Sequence, residues 1–431
     1  MLDIRFIREN ADQVTQKSQQ KGYKVDVQKL LAVDDSRRKL LLEIERVRAE
    51  RNQLADKTKG GQPSPDDMEQ GRKLKETLAQ LESQLGPVND EYDKLLKEIP
   101  NMPADDVPVG ASEDENQVAK EWGEKPQFDF KPKTHWQIAE ERELIDKERA
   151  AKVSGSRFAY IKGDLVKLQF GLIQFVLTTL TNEETLKNIA QSAGLNDVST
   201  KPFTPVLPPL MLRTDVFDAM DRLEPPEERY KVGSEEDNLW LQGSAEHTLG
   251  PMYKDESLDV ADLPIRLIGY ATSFRREAGS YGKDIEGIIR MHQFDKLEME
   301  SFSRPEDGLK EHLLMVAIQE YILQQLKIPY RLLLKCTADI GKPNARGIDL
   351  EAWLPGADKY METHTADFMT DYQARRLQTR VKGDGFVHTN DATALALGRG
   401  LVAIIENYQR ADGKIIIPEV VRPYLNGQTE L

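Results

Sequence analysis

Cysteine occurs once in 431 residues, at Cys336. That count excludes an intramolecular disulfide and a cysteine-rich zinc site. Histidine is also scarce: the six residues are scattered and none has H-x-x-x-H ligand spacing. No run of about 18 apolar residues exists, so a membrane-spanning helix is not predicted. The opening Met1-Leu2-Asp3-Ile4-Arg5 has no apolar signal core, and the expectation is a cytoplasmic protein. No P-loop or dinucleotide glycine pattern appears. The net charge of −14 argues against a surface that binds nucleic acid indiscriminately, so neither DNA nor a membrane is an expected partner. The charge is uneven, however. Residues 1–60 carry 14 Lys+Arg against 10 Asp+Glu, which leaves a local basic surface on an acidic chain.

Apolar residues make up 39% of the chain, and its length calls for two or three domains. From Val33 a 3-4 stepped series runs through Arg37, Leu40, Ile44, Val47, Arg51 and Leu54. A second runs Leu74, Leu78, Leu81, Leu85, Val88, Tyr92, Leu95 and Ile99. Sustained 3-4 stepping is a coiled-coil seam. Between the two lies Lys59-Gly60-Gly61-Gln62-Pro63-Ser64-Pro65, which cannot continue a helix. An antiparallel helical hairpin is therefore predicted, with a dimerisation coiled coil or a spacer as plainer readings. The proline-rich, acidic stretch 105–133 reads as a linker between residues 1–104 and 134–431. Beyond it, strands are expected at Ile265–Ala271, Gly287–Glu300, Tyr330–Leu334, Ile348–Trp353 and Phe386–Thr389. Helices are expected at Leu165–Leu180, Glu306–Gln325 and Ala394–Gln409. Irregular strand spacing favours an antiparallel sheet with flanking helices over a doubly wound one.

Three segments carry chemistry. Phe203-Thr204-Pro205-Val206-Leu207-Pro208-Pro209 follows a long helix. Phe274-Arg275-Arg276-Glu277-Ala278-Gly279 precedes His292-Gln293-Phe294 and Glu298. Ala394-Leu395-Ala396-Leu397-Gly398-Arg399-Gly400 opens a small-residue helix. An arginine reads phosphate or carboxylate, an aromatic face stacks a base, and a buried glutamate accepts from an amine or hydroxyl. In this order the segments resemble motifs 1, 2 and 3 of class II aminoacyl-tRNA synthetases, and the second resembles the seryl-tRNA synthetase branch of bacterial type. Glu351–Gly356, Tyr360–Thr365, Thr370–Arg376 and Ile417–Tyr424 resemble that branch too.

The resemblance implies an α+β protein: an N-terminal antiparallel helical coiled-coil arm plus a class II catalytic domain on an antiparallel β-sheet flanked by helices. It implies ATP-dependent activation of L-serine with Mg²⁺, transfer to tRNA(Ser) (and to tRNA(Sec) in organisms that have one), and a homodimer joined through motif 1. Arg275 would bind the α-phosphate and the substrate carboxylate, Glu277 the adenine amino group and Phe294 the ring. Glu362 and Thr365 would hold the divalent ion, and Arg399 would neutralise the outer phosphates. Ser244, Glu246, Arg275, Glu298, Thr365, Asp391 and Thr393 would surround serine, Glu298 and Thr393 at its hydroxyl. Arg38, Arg46 and Arg48 on the arm would face tRNA phosphate.

The chain departs from the branch pattern in three places. Ser244-Ala245-Glu246-His247 replaces a threonine-led motif. Glu362-Thr363-His364-Thr365 replaces a serine-rich one, and His364 becomes a candidate polar contact. Asp391 stands where a neutral amide is usual, and it is expected to pair with the substrate ammonium. Two other functions fit less well. A ligase charging a carrier protein or small molecule would typically lack the arm. A non-catalytic coiled-coil binding paralogue would have lost Arg275, Glu362 or Arg399.

Overall fold

The computed structural model describes residues 1–59, 64–234, 236–277 and 287–431. The helix-breaking Gly60–Pro63 segment of the sequence and the Ala278-Gly279 end of the second motif lie outside them. The chain divides into two compact units, Met1–Met102 and Pro103–Leu431.

The first unit is helical: α1 (Ile4–Glu9), α2 (Ala11–Gln20), α3 (Val27–Lys57) and α4 (Pro65–Glu98). Asp26 caps α3 by accepting from the Lys29 amide. Ser64 and Asp67 form a capping box on α4, with Pro65 in the first turn where its missing N–H costs nothing. The two long helices are antiparallel. Ile44, Val47 and Leu78 are buried between them, packed by Leu74, Leu81 and Leu85. Arg37, an apparent flaw in the seam, donates across it to Asn89 Oδ1 at 2.8 Å and lies over the Tyr92 ring. Arg46 is held by Glu43 and Glu50 of its own helix. Arg48 reaches across to Glu82 at 2.7 Å, so it ties the hairpin together. Arg38 alone of the three arm arginines is exposed without an ion pair among the described residues.

The second unit is built on eight strands: β1 (Gln117–Trp122), β2 (Thr204–Val206), β3 (Ile265–Phe274), β4 (Gln293–Ser303), β5 (Tyr330–Leu334), β6 (Arg346–Leu354), β7 (Lys359–Thr370) and β8 (His388–Ala396). Their order is β1-β5-β6-β7-β8-β4-β3-β2. Every pair is antiparallel except β2 with β3. Helices α5 (Asp164–Leu180), α6 (Gly308–Gln325) and α7 (Leu397–Asn407) bury one face. Leu297, Met299, Leu350, Ala366, Ala392 and Ala394 belong to that core.

Four expectations shift, one of them the strand expected from Gly287, which begins at Gln293. The stretch 105–133 is more than a connector, because its residues 117–122 form the edge strand β1. The strand expected at Phe386–Thr389 instead runs from His388 to Ala396, and the following helix begins at Leu397 rather than Ala394. The small apolar residues there suit a buried central strand as well as a helix. β7 gave no strand signal, because its polar residues replace the alternation that marks a strand.

Arg266 on β3 and Glu311 on α6 are almost fully buried and joined by two 2.7 Å bonds. Arg266 also donates to the carbonyls of Lys201 (2.6 Å) and Ser199 (2.7 Å). Truncating one partner strands the other charge. Arg266→Met is expected to destabilise this unit by about 3–5 kcal/mol in urea unfolding, whereas Arg266→Met with Glu311→Leu should cost less than the single change.

Candidate active site

Side-chain parity along a strand is fixed at two, so residues three apart face opposite ways unless the strand bulges. Two bulges build this site. In β7, Leu350 pairs with His364 while Glu351 pairs with Glu362, leaving Thr363 as the extra residue. Glu362 and Thr365 therefore oppose Glu351 and Asp349, which lie on one face. In β8, Leu395 pairs with Leu297 and Thr393 with Glu298, so Ala394 is extra. Thr393 and Ala396 then share the face of Lys296 and Glu298. Beyond Ala366 and Ala392 the paired residues of β7 and β8 give out. Gln319 of α6 satisfies the fork, donating to the carbonyls of Thr365 (2.7 Å) and Thr393 (2.9 Å).

The open face carries a cleft lined by Arg275, Glu277, Phe294, Lys296, Glu362, Thr365, Thr393 and Arg399 among others. Seven of those eight were expected from sequence; Lys296 was not. Arg275 donates from Nε to the Gly243 carbonyl at 2.9 Å, with its guanidinium 5.4 Å from the centre of the Phe294 ring. It has no ion pair among the described residues. Glu277, at φ +52°, is held at 2.8 Å by Arg290. At the opposite wall Arg399 donates to the Glu362 carbonyl (2.7 Å) and Oε1 (2.9 Å).

Glu362 and Thr365 together offer a carboxylate and a hydroxyl on one wall beside the space for phosphates. Hard oxygen donors of this kind suit Mg²⁺ shared with phosphate oxygens. Asp349, cross-strand from Thr365, is buried and lies 3.6 Å from Lys335. Burial lifts its carboxyl to about 7 against the pull of Lys335.

The remaining expected residues cluster at the inner end. Gly269, opposite Glu298 on β3, leaves no room for a Cβ: one would lie 2.7 Å from Leu249 and 3.2 Å from Ala245. That close approach seats the Ser244–Leu249 turn on the sheet. Glu246, Glu298 and Asp391 each place a carboxylate oxygen within 4.8 Å of the others. Lys296 lies 2.5 Å from Glu298 Oε2, and Thr393 donates to the same oxygen at 3.4 Å. Burial raises Glu298 to about 7, against Lys296. Burial also opposes charge on Glu246, but Arg222 at 2.6 Å, then His247 and Lys296, hold it near 2. Burial and Glu246 push Asp391 well above its usual range. Glu300, cross-strand from Asp391, is fully buried with neither oxygen hydrogen-bonded among the described residues, and is raised well above as well.

His364 belongs elsewhere. It sits opposite Leu350 on the helix-covered face, Nδ1 2.9 Å from Thr363 Oγ1, and burial lowers it to about 4. It is a neutral packed histidine. Sequence reasoning missed Lys296, Gln319, Glu300 and Arg222. Lys296 and Glu300 were readable from their two-residue steps about Glu298. Gln319 and Arg222 carried no local signal.

The first unit matches the family described as seryl-tRNA synthetase N-terminal domain over residues 1–103, and residues 230–408 match the tRNA synthetase class II core domain (G, H, P, S and T). A serine--tRNA ligase of Symbiobacterium thermophilum is 39% identical, covering 98% of both chains. One from Nitrosopumilus maritimus is 36% identical over the full length of each. The crystal structure of seryl-tRNA synthetase from Pyrococcus horikoshii complexed with ATP superimposes with a TM-score of 0.86 at 35% identity, covering 100% of this chain and 99% of that one.

Removing the side chain that bridges the fork should loosen the site. Gln319→Leu leaves two buried carbonyls without a donor and is expected to destabilise the unit by about 2–4 kcal/mol, measured by urea unfolding.

Proposed function

The chain belongs to the seryl-tRNA synthetase family of class II aminoacyl-tRNA synthetases, and from that membership we propose how its residues divide the reaction. It activates L-serine with ATP and transfers the seryl group to tRNA(Ser). In the first step a serine carboxylate oxygen attacks the α-phosphorus, and diphosphate departs as the bond to its bridging oxygen breaks. The terminal adenosine hydroxyl of tRNA then takes the acyl group and AMP leaves. The observation that carries this reading is the cleft that gathers Arg275, Phe294, Glu362 and Arg399, with Lys296 and Thr393 of its wall in contact with Glu298 of the buried carboxylate cluster.

Arg275 faces both the carboxylate and the α-phosphate, drawing the reacting atoms together and stabilising charge as it spreads over the phosphoryl oxygens. Glu277 contacts the adenine amino group and Phe294 stacks on the ring. Arg399 exchanges Glu362 for the outer phosphates, which frees Glu362 and Thr365 for Mg²⁺. The ion, when bound, neutralises charge on the departing diphosphate. No side chain needs to form a covalent intermediate.

At the inner end the three carboxylate oxygens, no more than 4.8 Å apart, match the tripod that a primary ammonium presents with hydrogen bonds of about 2.8 Å. Glu246, Glu298 and Asp391 take the serine ammonium beside Ser244. Glu298 and Thr393 read the hydroxyl, so alanine leaves them unpaired and is rejected. The arm, with exposed Arg38, meets tRNA phosphate. The first unit, Met1–Met102, is the tRNA-binding arm domain, and the second, Pro103–Leu431, which includes the edge strand 117–122 of the expected linker, is the catalytic domain. The homodimer forms through the first motif, where Leu207 is 81% exposed, and Phe170 of α5 is 57% exposed. Among the described residues no helix is long and apolar enough to cross a membrane. The working compartment is the cytoplasm.

ATP–pyrophosphate exchange with each of the twenty amino acids tests the function, and exchange with serine alone is the expected result. Exchange with another amino acid would reassign the substrate. The same assay gives a pH dependence. Glu298 is raised to about 7, so the ionised form that holds an ammonium is present above that value and lost below it. The kcat/KM for serine is expected to rise about tenfold from pH 6 to pH 8 along an acidic limb that belongs to the carboxylate cluster. The KM for ATP should not follow it. Asp391→Asn should raise the serine KM several-fold, measured at pH 7.5; an unchanged KM would remove Asp391 from the ammonium tripod.

A further inference from the structure

Arg222 lies outside all three motif segments, on the stretch that follows Phe217. Its side chain is 15% exposed. Nε and Glu246 Oε1 form an ion pair at 2.6 Å without hydrogen-bond alignment, and Nη2 donates to Asp391 Oδ2 and Asn344 Oδ1, each at 3.3 Å. One planar guanidinium thus bridges two carboxylates that come from different parts of the chain, the Ser244–Leu249 turn and β8. It bonds Oδ2 of Asp391 and leaves Oδ1, which is buried and has no partner among the described residues. Its own position is fixed from behind: the Asn344 side chain is buried, and the Arg222 carbonyl accepts from Arg229 Nε at 3.0 Å.

We propose that Arg222 is the positioning residue of the amino-acid subsite, drawing Glu246 and Asp391 together so that the oxygens it leaves unbonded converge on the substrate ammonium. Without it the two carboxylates are buried like charges that repel, and neither is aimed. A planar fork suits this task because it fixes two acceptors at once; a lysine at the same position satisfies one. The bridge also accounts for an aspartate at position 391: the acid needs a cation behind it, and Arg222 is that cation. This inference rests on the ammonium reading above.

Serine and L-glycerate separate the possibilities, since glycerate keeps the carboxylate and hydroxyl and replaces the ammonium with a neutral group. In Arg222→Gln the serine KM is expected to rise roughly tenfold or more while the ATP KM stays within about twofold and the inhibition constant of L-glycerate within about threefold. Arg222→Lys, the variant to use if the glutamine form does not fold, should raise only the serine KM, by a few-fold. A serine KM within about twofold of the parent in the glutamine variant overturns the proposal. Equal weakening of serine and glycerate overturns it too, because that is what general collapse of the pocket produces. Glu246→Gln is the control. If it leaves the serine KM unchanged, the ammonium reading itself fails; if it raises the KM and Arg222→Gln does not, only the role of Arg222 fails.

Discussion

Glu246, Glu298, Glu300 and Asp391 are all removed from water at the inner end of the cleft, and the surroundings answer that cost residue by residue. An isolated buried carboxylate is expensive, and a buried pair that cannot share a proton or find a cation is more so. Arg222 takes up Glu246 and part of Asp391, and Lys296 takes up Glu298. Glu300 has no ion pair and no hydrogen-bond donor among the described residues, and burial holds its carboxyl well above the usual range. The carboxylates thus outnumber the cations beside them, and the proposed place of the substrate ammonium is among Glu246, Glu298 and Asp391.

The phosphate end of the cleft has the opposite logic. Arg275 carries no ion pair among the described residues and is oriented by a backbone carbonyl and an aromatic face. Such a cation is held ready for an anion that the protein itself does not supply. Arg399 is instead parked on Glu362, an exchangeable contact at the cleft wall where water weakens the pairing. One end of the site lacks a cation and the other lacks an anion. A zwitterionic amino acid beside a polyphosphate answers both deficits, and a neutral ligand answers neither.

Much of this was legible in the chain because the chemistry-bearing residues sit on strands whose register is strongly specified. The steps Phe274–Glu277 and Phe294–Glu298, and the arginine in the small-residue segment at Arg399, point to the cleft without any coordinates. Legibility failed where the signal is not local. β7 reads poorly as a strand because its wall of the site is polar and its bulge at Thr363 breaks the alternation. Ala394–Ala396 reads as helix in the sequence because small apolar residues do not distinguish a buried strand from a buried helix. Gln319 gave no clue, since a glutamine on an otherwise apolar helix face shows its purpose only beside the two carbonyls it satisfies.

His364 and Asp391 show why a departure from a family pattern cannot be interpreted from its chemistry alone. Both introduce an ionisable group near the expected serine site. The bulge at Thr363 turns Glu362 and Thr365 to the cleft, and in doing so leaves His364 facing the core, where burial keeps it neutral. Asp391, by contrast, keeps the parity of Thr393 and stands on the open face opposite Glu300. A substitution matters to the substrate when strand parity delivers it to the cleft, and its charge is tolerable there only when another element brings the counter-ion. For Asp391 that element is the Phe217–Arg229 stretch, which no motif marks and which makes the acid and its arginine a single unit of the pocket.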